Sequence, residues 1–133
     1  MKNRIYLFMM LMIGSTFCMA QSNKTETKSN TSSNIEAYYF HLTSRCVTCK
    51  TVEAEAKKDL EGLYGDKVVF QSLNLEEKST EPLAEKLKIS GQTLLVVRGG
   101  KQINLTNDGF LYAVNNPVKF KAIIKQKVDG LLK

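Results

Sequence analysis

The chain has 133 residues, with 19 Lys and Arg against 13 Asp and Glu for a formal net charge of +6. That length allows one domain with a modest core, and the basic residues form no aromatic-interleaved stripe, so they read as solvated side chains and no nucleic-acid partner is expected. One histidine and three cysteines limit the thiol and metal chemistry that can be built.

The first twenty residues (1–20) read as a signal peptide. Lys2 and Arg4 form a positive start, Ile5 to Ile13 is an apolar run too short to span a bilayer as a finished helix, and Cys18-Met19-Ala20 ends on a small residue. Cleavage is expected after Ala20, leaving a mature chain that starts at Gln21 and keeps only Cys46 and Cys49. A rival reading makes Cys18 a lipidated anchor, the one route by which the chain would hold to a membrane; bulky Phe17 before it counts against that. Export implies an oxidising compartment, the periplasm or cell envelope, where a disulfide persists. Without Lys2 and Arg4 the 19 basic residues fall to 17 against 13 acidic ones, a net charge of +4. Residues 21–34 hold no apolar side chain, so they cannot offset the entropy of ordering and are expected to be a disordered polar linker.

The 99 residues from Ile35 to Lys133 then alternate between strand and helix patterns. Ile35 to His41 is apolar on consecutive positions, as a strand covered on both faces would be. A helix comes next, with the stripe Cys49, Val52, Ala56, Leu60 and Leu63, and with Glu53, Lys57 and Glu61 paired at i,i+4 on its wet side. Gly62 or Gly65 ends it. Lys67 to Leu75 forms a second strand, and Ser79 or Thr80 caps a short helix with Pro82 in its first turn and Leu83 and Leu87 on one buried edge. Thr93 to Val97 is a third strand, and Arg98-Gly99-Gly100-Lys101 predicts a two-residue hairpin into a fourth, where Ile103 and Leu105 alternate with polar neighbours. Thr106 to Asn115 reads as a loop or broken turn. Asn116 caps and Pro117 opens a last helix, with Phe120, Ile124, Val128 and Leu131 on one side. The order β-α-β-α-β-β-α predicts an α/β fold: a mixed four-stranded sheet with helices on both faces.

Cys46 and Cys49 stand at the head of the first helix. Positions i and i+3 of a first turn lie side by side, at roughly the 4.4 to 6.8 Å Cα separation that a disulfide tolerates. Unpaired N–H groups, the helix dipole and neighbouring Arg45 favour a Cys46 thiolate, which makes Cys46 the nucleophile. Cys49, one turn inside on the apolar stripe, is then the resolving thiol that attacks the mixed disulfide. Such a pair needs no cofactor beyond its own disulfide, and its partners are thiols or disulfides of another protein. A mere staple is disfavoured, because closing so short a loop removes little unfolded-state entropy. A copper or zinc carrier is the other reading: C-x-x-C is half of a tetrahedral metal site, and Cys46 and Cys49 with His41 supply three ligands. His41 is otherwise either a proton acceptor near the thiols or a strand-edge residue hydrogen-bonded to its loop. Thr48 can bond a Cys46 thiolate or favour the turn, and Val47 can offer a partner an apolar contact. Tyr38, Tyr39 and Phe40 read as core. The domain is expected to be a monomer.

This element order, with C-x-x-C opening the first helix, resembles the thioredoxin-like superfamily over Ile35 to Lys133. Tyr39-Phe40-His41, Thr43 and Arg45-Cys46-Val47-Thr48-Cys49-Lys50 are similar to exported thioredoxin-like proteins of the nitrophenyl compound nitroreductase subunit ArsF family. Asn104-Leu105-Thr106-Asn107-Asp108-Gly109-Phe110 with Asn116-Pro117 resembles the later half of that family. The resemblance implies a thioredoxin-like fold and thiol–disulfide oxidoreductase activity at Cys46 and Cys49, with Gln92 and Thr93 beside them in the loop that receives a partner's backbone. The family name implies a link to nitro-group reduction. No Gly-rich phosphate turn for flavin or nicotinamide is present in this chain, so it would pass electrons to or from a flavin-bearing reductase, or serve as an accessory subunit that only docks.

Departures from thioredoxin itself show in the same motifs. Val47 and Thr48 replace Gly-Pro between the cysteines, and no tryptophan precedes them. Ser90-Gly91-Gln92-Thr93 occupies the place of a cis-proline. A cis bond before a non-proline costs about 2.5 to 4 kcal/mol, so trans peptides and a different mode of partner docking are expected. The first strand has no buried carboxylate before the motif, which leaves His41 as the nearest titratable stand-in.

Overall fold

A computed structural model describes residues 34–133, so the expected leader, Cys18 and residues 21–33 of the linker lie outside the described residues. Strand β1 (Ile35–His41) is followed by α1 (Val47–Tyr64), a 3-10 turn (Gly65–Lys67), β2 (Val68–Asn74), α2 (Glu81–Leu87), β3 (Thr93–Arg98), β4 (Lys101–Asn104), α3 (Thr106–Tyr112) and α4 (Pro117–Leu132). The sheet order is β2-β1-β3-β4. β1 runs parallel to β2 and antiparallel to β3, and β4 runs antiparallel to β3. This is the expected mixed four-stranded sheet. In register, Phe40 lies opposite Thr93 and Leu95 opposite Asn104, so the end of β1, the start of β3 and the end of β4 share one edge.

Alternation along β1 separates two cores, because successive side chains in a strand point to opposite faces. Ile35, Ala37 and Tyr39 join Leu94 and Val96 beneath Val52, Ala56 and Leu60 of α1 and Phe120, Ile124 and Val128 of α4. Tyr38 and Phe40 join Leu95 and Val97 on the other face, against Ala84, Leu83 and Leu87 of α2. Covering both faces is why β1 and β3 read as unbroken apolar runs. The hairpin forms at Gly99 and Gly100, whose φ angles of 54° and 84° suit a two-residue turn that residues with a Cβ adopt at a cost. Asn116 caps α4 as expected, its Oδ1 accepting from the Lys119 N–H at 3.0 Å.

Three expectations are corrected. Thr106 to Tyr112 is a helix, not a loop. Asn107, Asp108 and Gly109 are weak helix formers, and tertiary contacts decide the matter. Leu105 and Ala113 enter the core at its ends, the Asp108 carboxylate meets Lys127 Nζ at 2.7 Å, and Gly109 lies so close to α1 that a Cβ there would come 2.7 Å from Val52 Cγ1. Thr80 precedes α2, but its hydroxyl makes no cap; its backbone carbonyl accepts from Leu83 and Ala84 instead. Glu53 pairs with Arg45 and not with Lys57, since Arg45 sits across the first turn with a planar donor fork. Of the two glycines expected to end α1, Gly65 does so.

Asp59 of α1 is a buried polar group, three residues after Ala56 on the buried side of the helix. It is 2% exposed, its Oδ2 has no hydrogen-bond partner among the described residues, and Lys121 Nζ stands 3.8 Å from Oδ1. Burial pushes its carboxyl above the ordinary range, and Lys121 offsets part of that rise. The folded state therefore holds the proton more tightly than the unfolded chain, so stability falls as pH rises from the ordinary carboxylate pKa through the raised one, and the penalty is complete above it. Asp59→Asn is expected to raise stability at pH 7, with the gain shrinking towards acid pH, where Asp59 itself is protonated and neutral. Urea denaturation of the two proteins at neutral and acid pH measures the difference. A larger gain in acid would contradict the assignment.

Candidate active site at the head of helix α1

The chain leaves β1 at His41, and the loop that carries it to α1 is tied down at the shared edge of the sheet. The Thr43 N–H donates to Glu76 Oε2 at 2.7 Å, and Asn74 Nδ2 donates to Thr43 Oγ1 at 2.9 Å, which fastens that loop to the end of β2. The hydrogen bonds from Thr43 hold the Glu76 carboxyl below its usual range. Arg45 reaches over the first turn to Glu53, with both side chains about one-fifth to one-quarter exposed (24% and 20%). That pairing tempers the positive charge expected beside Cys46 and anchors the residue before it to the helix.

Cys46 is the N-cap of α1, and its Sγ accepts the Cys49 N–H at 3.2 Å. The two sulfurs form a disulfide with a Cα separation of 5.2 Å, inside the expected span. Cys46 is exposed and Cys49 is 7% exposed. An N-cap side chain receives the otherwise unpaired N–H groups of the first turn, which favour an anionic sulfur once the disulfide opens. The expected division between an accessible sulfur and a sheltered one is therefore present in the backbone geometry. Val47, 81% exposed, follows Cys46 with apolar surface, and Leu42 in the preceding loop is half-exposed. Thr48 stands half-buried between the cysteines.

Beneath the disulfide lies a polar chain that only the three-dimensional structure reveals. The Tyr39 hydroxyl donates to the Cys49 carbonyl at 2.8 Å and accepts from Gln92 Nε2. Gln92 comes from the loop before β3, which Thr93 braces by donating its hydroxyl to the Gly91 carbonyl at 2.9 Å. No cis peptide occurs among the described residues, so this loop has the expected trans geometry. Burial raises the Tyr39 pKa above that of a free phenol, partly offset by the Gln92 hydrogen bond, so it remains a donor at neutral pH. Tyr39 is thus core by its ring and site by its hydroxyl.

His41 ends β1 half-buried. Its Nδ1 lies 2.9 Å from the Leu42 carbonyl, and since a carbonyl only accepts, Nδ1 carries the proton. This is the hydrogen bond to its own loop that the sequence allowed. Among the described residues no three His, Cys, Asp or Glu side chains gather as metal ligands.

No family model matches the chain, and no curated protein does. Solved structures similar to it include the germline-specific thioredoxin Deadhead of Drosophila melanogaster, at 21% identity over 71% of this chain and 81% of that one with a TM-score of 0.47. Oxidised thioredoxin O2 of Arabidopsis thaliana matches at 20% identity over 71% and 75%, with a TM-score of 0.48. A malarial protein matches at 21% identity over 52% and 74%, with a TM-score of 0.41. Independently of these likenesses, the sheet order β2-β1-β3-β4, its register and a C-x-x-C disulfide opening the helix after β1 give the chain a thioredoxin-like fold.

Proposed function

We propose that this chain is an exported thiol–disulfide oxidoreductase of thioredoxin-like type that exchanges two electrons with a partner protein through Cys46 and Cys49. The observation that carries the reading is the asymmetry of the pair: an exposed N-cap sulfur joined to a sheltered one a single turn away. A partner reaches Cys46 but not Cys49, so attack and resolution fall to different sulfurs. Lys2, Arg4 and the apolar run Ile5 to Ile13 support export to the periplasm or envelope. The similarity of Tyr39-Phe40-His41 and Arg45 to Lys50 to the ArsF family supports a finer proposal, that the partner is a flavin-bearing reductase and this chain its electron-passing subunit. Gln92 in place of a cis-proline fits a narrower partner range than thioredoxin has.

Cys49→Ser supplies the test. Incubated with a disulfide-bonded model protein such as insulin, the reduced variant is expected to accumulate a covalent adduct through Cys46, while wild type passes through without accumulation. The Cys46→Ser, Cys49→Ser double variant gives none. Equal adduct from the double variant, or none from Cys49→Ser, removes the proposed role.

A further inference from the structure

Building on the assignment of Cys46 as attacking and Cys49 as resolving thiol, we propose that Tyr39 and Gln92 are positioning residues for the resolving step. Their hydrogen-bond chain fixes the Cys49 backbone at the place from which its sulfur closes on Cys46.

Three elements meet in this chain. Tyr39 stands on the face of β1 that carries α1, fully buried, and one partner of its hydroxyl is the carbonyl of the resolving cysteine itself. Its other partner, Gln92, belongs to the loop at the start of β3. A buried phenol must find a partner, yet any core carbonyl would serve that need. Here the partner is one of the two residues that react.

The step is a displacement at sulfur. The Cys49 thiolate attacks Cys46 Sγ in the mixed disulfide, the bond from Cys46 to the partner's sulfur breaks, and the Cys46–Cys49 bond forms. The electron pair leaves on the partner's sulfur, which takes a proton from solvent, and the proton of Cys49 has gone to solvent beforehand. One disulfide is consumed and one made, so the protein's dithiol is oxidised by two electrons and the partner is reduced by two. A displacement of this kind is sensitive to ångström-scale errors in the attacking atom. Cys46 attacks from an exposed N-cap and feels the chain only through the Cys49 N–H, whereas Cys49 is held by it directly, so the second step carries the larger effect.

Tyr39→Phe keeps the ring and deletes the hydroxyl; Gln92→Leu keeps the bulk of half-buried Gln92 and deletes its amide. Reduced proteins are mixed with excess 5,5′-dithiobis(2-nitrobenzoate), and thionitrobenzoate release is followed by stopped flow. The first equivalent leaves when Cys46 attacks and the second when Cys49 resolves. In each variant the second phase is expected to slow about 3- to 10-fold relative to the first, the worth of one hydrogen bond. The double variant should be no slower than the slower single one, because the two groups act in series. An unchanged second phase, or both phases slowed in proportion, overturns the proposal. Melting curves identify a variant that has lost its fold, in which case Gln92→Leu decides. Should wild type itself release no rapid first equivalent, the assignment of the two thiols fails; a wild type with two phases and variants that match it sink only this inference.

Discussion

Cys46→Ser is expected to reduce disulfide exchange to the uncatalysed background while the domain stays folded. The expectation rests on geometry at the helix start. Cys46 is the exposed sulfur, and the N–H of Cys49 already points at it from 3.2 Å. In the reduced protein that N–H and its neighbours face the Cys46 sulfur and favour thiolate over thiol. Iodoacetamide should therefore label Cys46 of the reduced wild type at mildly acidic pH and leave Cys49 largely unlabelled. A disulfide closing so short a loop contributes little to stability, so the melting temperature of Cys46→Ser should remain near that of reduced wild type. If alkylation of Cys46 instead tracks the profile of free cysteine, the N-cap has no effect on its reactivity. Pairing of Arg45 with Glu53 makes a second point measurable. Glu53→Gln leaves the Arg45 charge uncompensated beside Cys46 and should shift the alkylation profile to lower pH.

Phe120→Ala is the substitution expected to cost the fold most. Phe120 is fully buried in the larger core, and its ring lies 3.5 Å from where a Gly109 Cβ would be, at the seam where α3 and α4 meet α1. Removing the ring should destabilise by about 3 to 5 kcal/mol, because the backbone around it is too constrained to collapse into the space. That is a large share of the roughly 5 to 15 kcal/mol typical of a whole domain. Urea denaturation measures it, and a loss under about 1 kcal/mol would mean that the seam repacks. The cost should extend to the site, since α3 presses on Val52, one turn beyond Cys49.

The parts of the fold with local chemistry were legible from sequence. Ile35 to His41 announced a doubly covered strand, Gly99-Gly100 a tight hairpin, and Asn116-Pro117 a helix start, because each depends on a few neighbouring residues. Helix α3 was not, since Asn107, Asp108 and Gly109 favour turns and only contact with Val52 and Lys127 reverses that preference. The positions of Cys46 and Cys49 could be read from the same local rules. Their support could not. Gln92 and Tyr39 are separated by 53 residues, and nothing in a strand pattern distinguishes a tyrosine whose hydroxyl serves a site from one that only fills a core. His41, the nearer titratable group in sequence, hydrogen-bonds its own loop through Nδ1. Asp59 could have been found, because it falls three residues after Ala56 on the buried stripe of α1.

The strand directions also set an orientation. β1 is a central strand that enters at Ile35 and leaves towards Cys46 at its far end, so Ile35 and the loop to the disulfide lie at opposite ends of a strand about 20 Å long. A tether attached directly at Ile35 enters at the end away from the sulfurs. Immobilisation through that end should leave the reactive tip pointing outward and free to turn over substrate, whereas attachment through the β3 and β4 edge near Gln92 should obstruct it.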